Sequence, residues 1–346
     1  MKILHLLQST RFSGAENVVC QIIGMMGNEP NIEMVYCSPD GQIKDAIKER
    51  GIQFEPIAKL SVNEVKRVLA KHKPDIIHAH DRSACVTAAI ASKNTPIIAH
   101  IHVNNNSGIP SFVKNAALTC FSNKYHHIFW VSDSAYQQFQ FKGIVKDKSS
   151  VLYNVIDINA LYEKADRDKA FYDYDIVYVG RLSYQKNPER LMNVLHGVCK
   201  IKSDVKVAII GNGEYEQYVV DYIKENDLNK NISYLGYSNN PLKIIKSAKA
   251  LIMTSRFEGT PMVALEAQCF GVPVVSTPVD GMKKVIQNGY NGYLTDNNDE
   301  LVNRLVEIMS NENTRKSLNE NSLKQARDYN DVEKYSAAIK KAYYGK

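Results

Sequence analysis

Short apolar runs separated by amphipathic stretches of helical period most restrict what this chain can fold into, and the pattern occurs twice. In the first half, Lys2–Leu7, Glu33–Cys37, Ile76–His78, Ile97–His102, His127–Val131 and Ser150–Leu152 read as strands. Helical patterns lie between them at Ala15–Met26, Gly41–Arg50, Val62–Lys71, Arg82–Ser92 and Ser132–Phe141. The pattern restarts with strands at Asp175–Val179, Val205–Ile210, Ile232–Leu235, Ala250–Thr254, Val274–Ser276 and Tyr293–Thr295. Helices are expected at Pro188–Lys200, Glu214–Asn226, Asn240–Ser247, Pro261–Cys269, Met282–Asn288 and Asp299–Ser310. Strands alternating with helices imply parallel sheets covered on both faces, so the expected class is α/β with two Rossmann-like, doubly wound domains.

A length of 346 residues leaves room for two such cores. The charged, weakly patterned stretch Ile158–Asp173 is the expected linker, giving domains over 1–165 and 166–329. The last helical pattern, Asp331–Tyr344, has no strand after it. It either caps the second domain or crosses back, which would join 330–346 to the first. Doubly wound sheets bind ligands at their carboxyl ends, so a cleft between two facing domains is expected.

Several classes are excluded. No apolar stretch reaches the roughly 18 residues of a membrane span, and Met1–Leu7 reads as a first strand rather than a signal peptide. The six cysteines form no C-x-x-C pair, which argues for a reducing, cytoplasmic setting and against a zinc knuckle. A net charge of +6 is too modest to imply nucleic acid. From Lys114 to Lys148, five lysines mix with Leu118, Phe121, Phe139 and Phe141, with Phe112 just before them. That is either a solvated face over an ordinary core or a surface for an anionic, lipid-linked partner.

Two segments point to chemistry. Arg181 and Lys186 follow the strand that ends at Gly180, just before a helix starting near Pro188; they suit a diphosphate, or simply a capped helix with surface cations. Glu258-Gly259-Thr260-Pro261 leads from a strand into a helix carrying Met262 and Glu266. The glycine permits close approach and the helix start offers free amides. Glu266 could accept two ribose hydroxyls, or lie on the helix's polar face. Gly14 opens a helix after the first strand. Gly211-Asn212-Gly213 also follows a strand, but Glu216 stands where the dinucleotide fingerprint needs its third glycine. Histidines alternate in His78-Ala79-His80 and His100-Ile101-His102, on one face of each strand. A metal hydrolase using His78, His80 and His102 is the rival reading, although no further ligand set stands out.

Together these motifs resemble the family-4 glycosyltransferases, the retaining GT-B enzymes. Glu258 and Glu266 match the family's E-x7-E motif, within Ser255-Arg256-Phe257-Glu258-Gly259-Thr260-Pro261 and Ala264-Leu265-Glu266-Ala267. Gly180-Arg181-Leu182 with Lys186 matches its diphosphate motif, and Gly271-Val272-Pro273 and Asn288-Gly289-Tyr290-Asn291-Gly292 continue the pattern. Ser13-Gly14-Ala15-Glu16 resembles its Gly-Gly-Ala-Glu loop with Ser for the first Gly, and Pro96–His102 its Pro-to-His strand. Tyr153-Asn154-Val155-Ile156-Asp157 departs from the usual Asn-Gly-Val-Asp.

The resemblance implies a GT-B fold and, residue by residue, a catalytic set of Glu258, His102, Arg181 and Lys186, with His100 the alternative to His102. Arg181 and Lys186 would neutralise the donor diphosphate, Glu266 would hold the ribose, and Glu258 would meet the donor sugar. The amides of Gly259, Thr260, Pro261 and Met262 mark the loop near the phosphate or sugar, with Pro261 contributing position rather than an N–H. Gly14, Gly211 and Tyr237 complete the donor side. It implies no metal and no cofactor, a nucleotide-diphosphate sugar donor (UDP favoured over GDP), and a saccharide or lipid-linked acceptor. The implied setting is bacterial capsule, exopolysaccharide or lipopolysaccharide synthesis, in the cytoplasm or peripherally at the inner face of the membrane. A non-enzymatic sugar-nucleotide binding protein is the other alternative.

Overall fold

The computed structural model describes residues 1–11, 14–27, 29–102 and 109–345. The chain divides into two compact units, Met1–Asn154 with Val332–Lys346, and Val155–Asp331. The first unit holds a seven-stranded sheet: β1 (Lys2–Leu6), β2 (Glu33–Pro39), β3 (Phe54–Ile57), β4 (Ile76–His80), β5 (Ile97–Ile101), β6 (Tyr125–Trp130) and β7 (Ser149–Val151). Its order is β3-β2-β1-β4-β5-β6-β7, and every pair is parallel. The second unit holds β8 (Ile176–Val179), β9 (Val207–Ile210), β10 (Ile232–Gly236), β11 (Ala250–Met253), β12 (Val274–Ser276) and β13 (Gly292–Leu294). Its order is β10-β9-β8-β11-β12-β13, again all parallel. In each sheet the first strand sits mid-sheet and the order reverses beside it, at β1/β4 and at β8/β11. That reversal is the switch point where α/β sheets take ligands.

The expected strands all form. One more, β3, was not legible: it has four residues, two of them Glu55 and Pro56. Proline is tolerated there because β3 is an edge strand. Among the described residues, three helices of ten or more residues also escaped the pattern, Ile109–Cys120, Ile158–Arg167 and Glu312–Tyr329, as did the four-residue Lys142–Val145.

The expected linker needs correction. Its first part is the helix Ile158–Arg167, capped by Asp157, whose carboxylate accepts from the Ala160 amide at 3.0 Å. Leu161 and Ala165 are buried, and Tyr162 donates its hydroxyl to the Cys269 carbonyl at 3.1 Å. One turn's worth of apolar contact therefore binds this segment to the second unit, and the boundary falls at 154/155 rather than 165/166. The Val332–Tyr344 helix belongs to the first unit, burying Tyr335, Ile339, Ala342 and Tyr343 along one stripe.

Central strands of parallel sheets are buried on both faces and normally read as aliphatic runs. β8, β9 and β11 follow this rule, with Ile176, Tyr178, Ile209 and Ile252 in one core. β1, β4 and β5 follow it on one face only, where Leu4, Leu6, Ile77, Ala79, Ala99 and Ile101 pack together. Their other face carries His5, His78, His80 and His100 alongside Ile3, Ile76 and Ile98, all buried.

Candidate active site

The second unit gathers most of the expected residues at the carboxyl ends of β8 and β11, which pair directly. Gly180 follows β8, Arg181 comes next and is exposed, and Lys186 closes a short turn. Asn187 then takes a left-handed conformation (φ 56°) and its side chain caps the helix Pro188–Ile201. This loop is tied to the one leaving β11. Thr254 donates its hydroxyl to the Lys186 carbonyl at 3.1 Å, Gln185 donates to the Phe257 carbonyl at 3.0 Å, and the Arg256 amide donates to the Gln185 carbonyl at 2.8 Å.

Across that junction the Lys186 ammonium meets a Glu258 carboxylate oxygen at 2.5 Å, and Ser255 donates its hydroxyl to the same oxygen at 2.5 Å. Glu258 is only 6% exposed, and a carboxylate so enclosed is costly without partners such as these. Pro261 caps the helix Met262–Cys269, whose first-turn amides face outward from its start. Glu266 lies half-buried on that helix, a turn from the loop.

Gly211 bears on the site through its backbone. At φ 133°, a Cβ on it would stand 2.0 Å from the Gly180 carbonyl oxygen, so only glycine lets the β9 loop press against the start of the Arg181 loop. Tyr237 lies just beyond β10, 38% exposed. Sequence reasoning passed over Gly281. A Cβ there would meet the Gly259 carbonyl oxygen at 1.6 Å, so the segment after β12 braces the Glu258–Pro261 loop from behind. Its signal was slight, a lone glycine after Pro278-Val279-Asp280. Ser255 was quoted within the motif, but its bond to Glu258 was not foreseen.

The first unit presents Gly14 exposed as the first residue of the helix Gly14–Met26, while Ser13 lies outside the described residues. His102 follows β5; its amide donates to Asp81 Oδ1 at 2.9 Å and its Nε2 meets His80 Nδ1 at 2.9 Å. His102 is 9% exposed and His100 is fully enclosed, so His100 has no surface from which to meet a sugar. Burial pushes the His5 and His102 imidazoles down to about 3. Burial, then neighbouring imidazoles, lowers His78, His80 and His100 as well. The basic region also divides. Lys124 donates to the carbonyls of Ala89 and Ser92, and Lys148 to that of Ser122, so both serve the fold.

Two family models match in tandem: "Glycosyltransferase Family 4" over residues 13–160 and "Glycosyl transferases group 1" over residues 163–325. The chain is a family-4 glycosyltransferase. Among this glycosyltransferase's relatives is the lipopolysaccharide 1,6-galactosyltransferase of Salmonella typhimurium, 27% identical over 87% of each chain. Another is the UDP-Gal:alpha-D-GlcNAc-diphosphoundecaprenol alpha-1,3-galactosyltransferase of Escherichia coli, 23% identical over 89% of this chain and 88% of that one. In fold the glycosyltransferase is similar to Anabaena HepE solved in complex with UDP-glucose, with a TM-score of 0.84, 22% identity and full coverage of both chains. These likenesses make the fold GT-B. They also remove the hydrolase and the silent binder as readings of the chain's activity.

Proposed function

We propose that this glycosyltransferase moves a sugar from a UDP-sugar to a saccharide or lipid-linked acceptor of a bacterial surface polysaccharide, with retention of configuration and with side chains rather than a metal on the diphosphate. The observation that carries the reading is the Arg181–Lys186 loop stitched to Glu258 and to the start of the helix Met262–Cys269. Two cations and a helix N-terminus there suit a leaving diphosphate. Its developing charge would be met by Arg181, Lys186 and the first-turn amides. Glu258, held by Ser255 and Lys186, would accept from hydroxyls of the donor sugar, and Glu266 from those of the ribose. His102, more exposed than His100, would lie beside the sugar.

In the step itself the bond from the anomeric carbon to the phosphate oxygen breaks and the bond to the acceptor oxygen forms on the same face. The acceptor's proton passes to the departing phosphate, so no second carboxylate is required. The named donor of the Escherichia coli relative and the UDP complexes of HepE favour UDP.

For the acceptor side, Phe112, Val113 and Ile144 of the first unit are exposed, near Lys114 and Lys142. Such a surface suits peripheral contact with an anionic membrane at its inner face. Among the described residues no helix is long and apolar enough to cross a membrane.

The test is the product of a reaction run in EDTA with candidate UDP-sugars and acceptors, its anomeric configuration read by NMR. A retained linkage formed at undiminished rate is expected. An inverted product, or turnover that stops on chelation and returns with magnesium or manganese but not with zinc, would overturn the mechanism.

A further inference from the structure

The first sheet contains a feature that donor chemistry leaves unused. His5, His78, His80, His100 and His102 share one face of three adjacent strands, with His5 opposite His78 and His80 opposite His100. Their rings stack, with centroids 4.4 Å apart for His78–His80 and again for His100–His102. Ring nitrogens approach at 3.1 Å (His5 Nδ1 to His80 Nε2), 2.9 Å (His80 Nδ1 to His102 Nε2) and 3.3 Å (His100 Nδ1 to His78 Nε2). His78 Nδ1 meets the Tyr343 hydroxyl at 2.8 Å.

Protons alone do not satisfy this cluster. A neutral imidazole has one N–H and one lone pair. In the chain His5–His80–His102, any choice of tautomers leaves one end as an unused N–H and the other as an unused lone pair. His5 Nε2, His100 Nε2 and His102 Nδ1 are indeed buried without a partner. Unpaired buried polar atoms are rare enough to need a specific cause.

We propose that this cluster binds one divalent first-row transition ion, zinc by preference, on His80, His100 and His102. One nitrogen from each lies within 4.8 Å of the others. Within this set His80 Nδ1 and His102 Nε2 stand 2.9 Å apart, close to the roughly 3.4 Å that two imidazoles span on one tetrahedral ion. Imidazole-only sets suit zinc, copper and nickel. His102, at the edge of the cluster, gives the ion a route inward, and the carboxylate of Asp81 stands beside the His102 backbone. Ligation through His102 Nε2 would fix the proton on Nδ1, so a bound ion would orient that ring as a donor. The ion would brace the centre of the first sheet, whereas the residues assigned to the donor diphosphate all lie in the second unit.

The test uses the full chain, chelated, desalted and titrated with zinc sulfate. One ion per chain should survive desalting and raise the melting temperature, and X-ray absorption should show a shell of about three imidazoles. His80→Gln and His100→Gln, folded by circular dichroism, should weaken binding at least about 100-fold, while the exposed-site control His126→Ala should retain it. The proposal is overturned if the wild type takes up no zinc, if the absorption shell lacks histidine, or if folded His80→Gln keeps the wild-type stoichiometry and affinity. Should His80→Gln not fold, the wild-type stoichiometry and absorption shell decide the matter alone. Neither readout depends on glycosyl transfer, so failure of the donor reading and failure of this one stay separate.

Discussion

The two units share a sheet topology and fill it differently. In the second, the middle strands bury Ile176, Tyr178, Ile209, Ala250 and Ile252, and the polar chemistry sits in loops beyond the strand ends. In the first, polar groups enter the sheet itself: of nine histidines only His196 lies in the second unit, and five of the others form the cluster, four on β1, β4 and β5 and His102 just beyond β5. The difference teaches that a doubly wound sheet can carry function in two ways. Loops over an aliphatic base can change shape without disturbing the core. A polar sheet face binds stability and function together, because each ring is also core.

The largest effect that would sharpen this comparison is catalytic and confined to the second unit. Lys186→Ala should lower kcat by about 10²–10³ by removing a cation from the leaving diphosphate, with the near-ultraviolet spectrum of Trp130 in the first unit unchanged. A steady-state assay with whichever UDP-sugar supports turnover reads the loss. A decrease below threefold would place the diphosphate elsewhere.

Next is Gly281→Ala. Its new Cβ would strike the Gly259 carbonyl, and the displaced loop should weaken UDP binding about 10- to 100-fold, corresponding to about 1.4–2.7 kcal/mol. Calorimetric titration checks this, and unchanged affinity would show that the loop does not touch the nucleotide.

Acid breaks the comparison from the other side. In chelated protein, His5 and His102 are neutral when folded down to about pH 3, whereas unfolded histidine titrates near 6.5. Above that value neither state holds the proton and the rings make no difference. As pH falls below about 6.5 the unfolded chain takes up protons that the folded one refuses, so stability is lost by about 1.4 kcal/mol per pH unit for each ring. Trp130, the single tryptophan, is buried in the first unit and reports on it alone. Its emission should shift at a higher pH than hydrogen exchange opens β8, β9 and β11. Simultaneous loss would mean that the histidines do not set the weaker unit.

The smallest effects separate lysines that looked alike. Lys124→Ala removes the donor to the Ala89 and Ser92 carbonyls and should cost about 1 kcal/mol. Lys142→Ala, which loses only bonds to Gln137 five residues away along the chain, should stay within about 0.5 kcal/mol while reducing flotation with anionic liposomes. Denaturant melts and flotation distinguish the two.

Legibility followed the range of the interactions. The Arg181–Lys186 and Glu258–Glu266 segments were readable because each is a contiguous strand–loop–helix unit, with its residue types and spacing within a few turns of chain. The bond between Lys186 and Glu258 was not readable, since it joins residues 72 apart. β3 escaped because its glutamate and proline belong to an edge strand, and the helix Ile158–Arg167 because two buried side chains make too narrow a stripe to stand out from its charged face.

The sequence by itself determined the alternation of elements, hence two parallel sheets and the strand ends at which loops could carry chemistry, because apolar periodicity is a local property of the chain. Tertiary structure alone decided that the last helix joins the first unit, that Gly281 supports the Glu258 loop, and that five histidines from three strands form one cluster closed by Tyr343. Those outcomes depend on strand order and register, which are set by burial summed over the whole sheet and not by any single stretch of sequence.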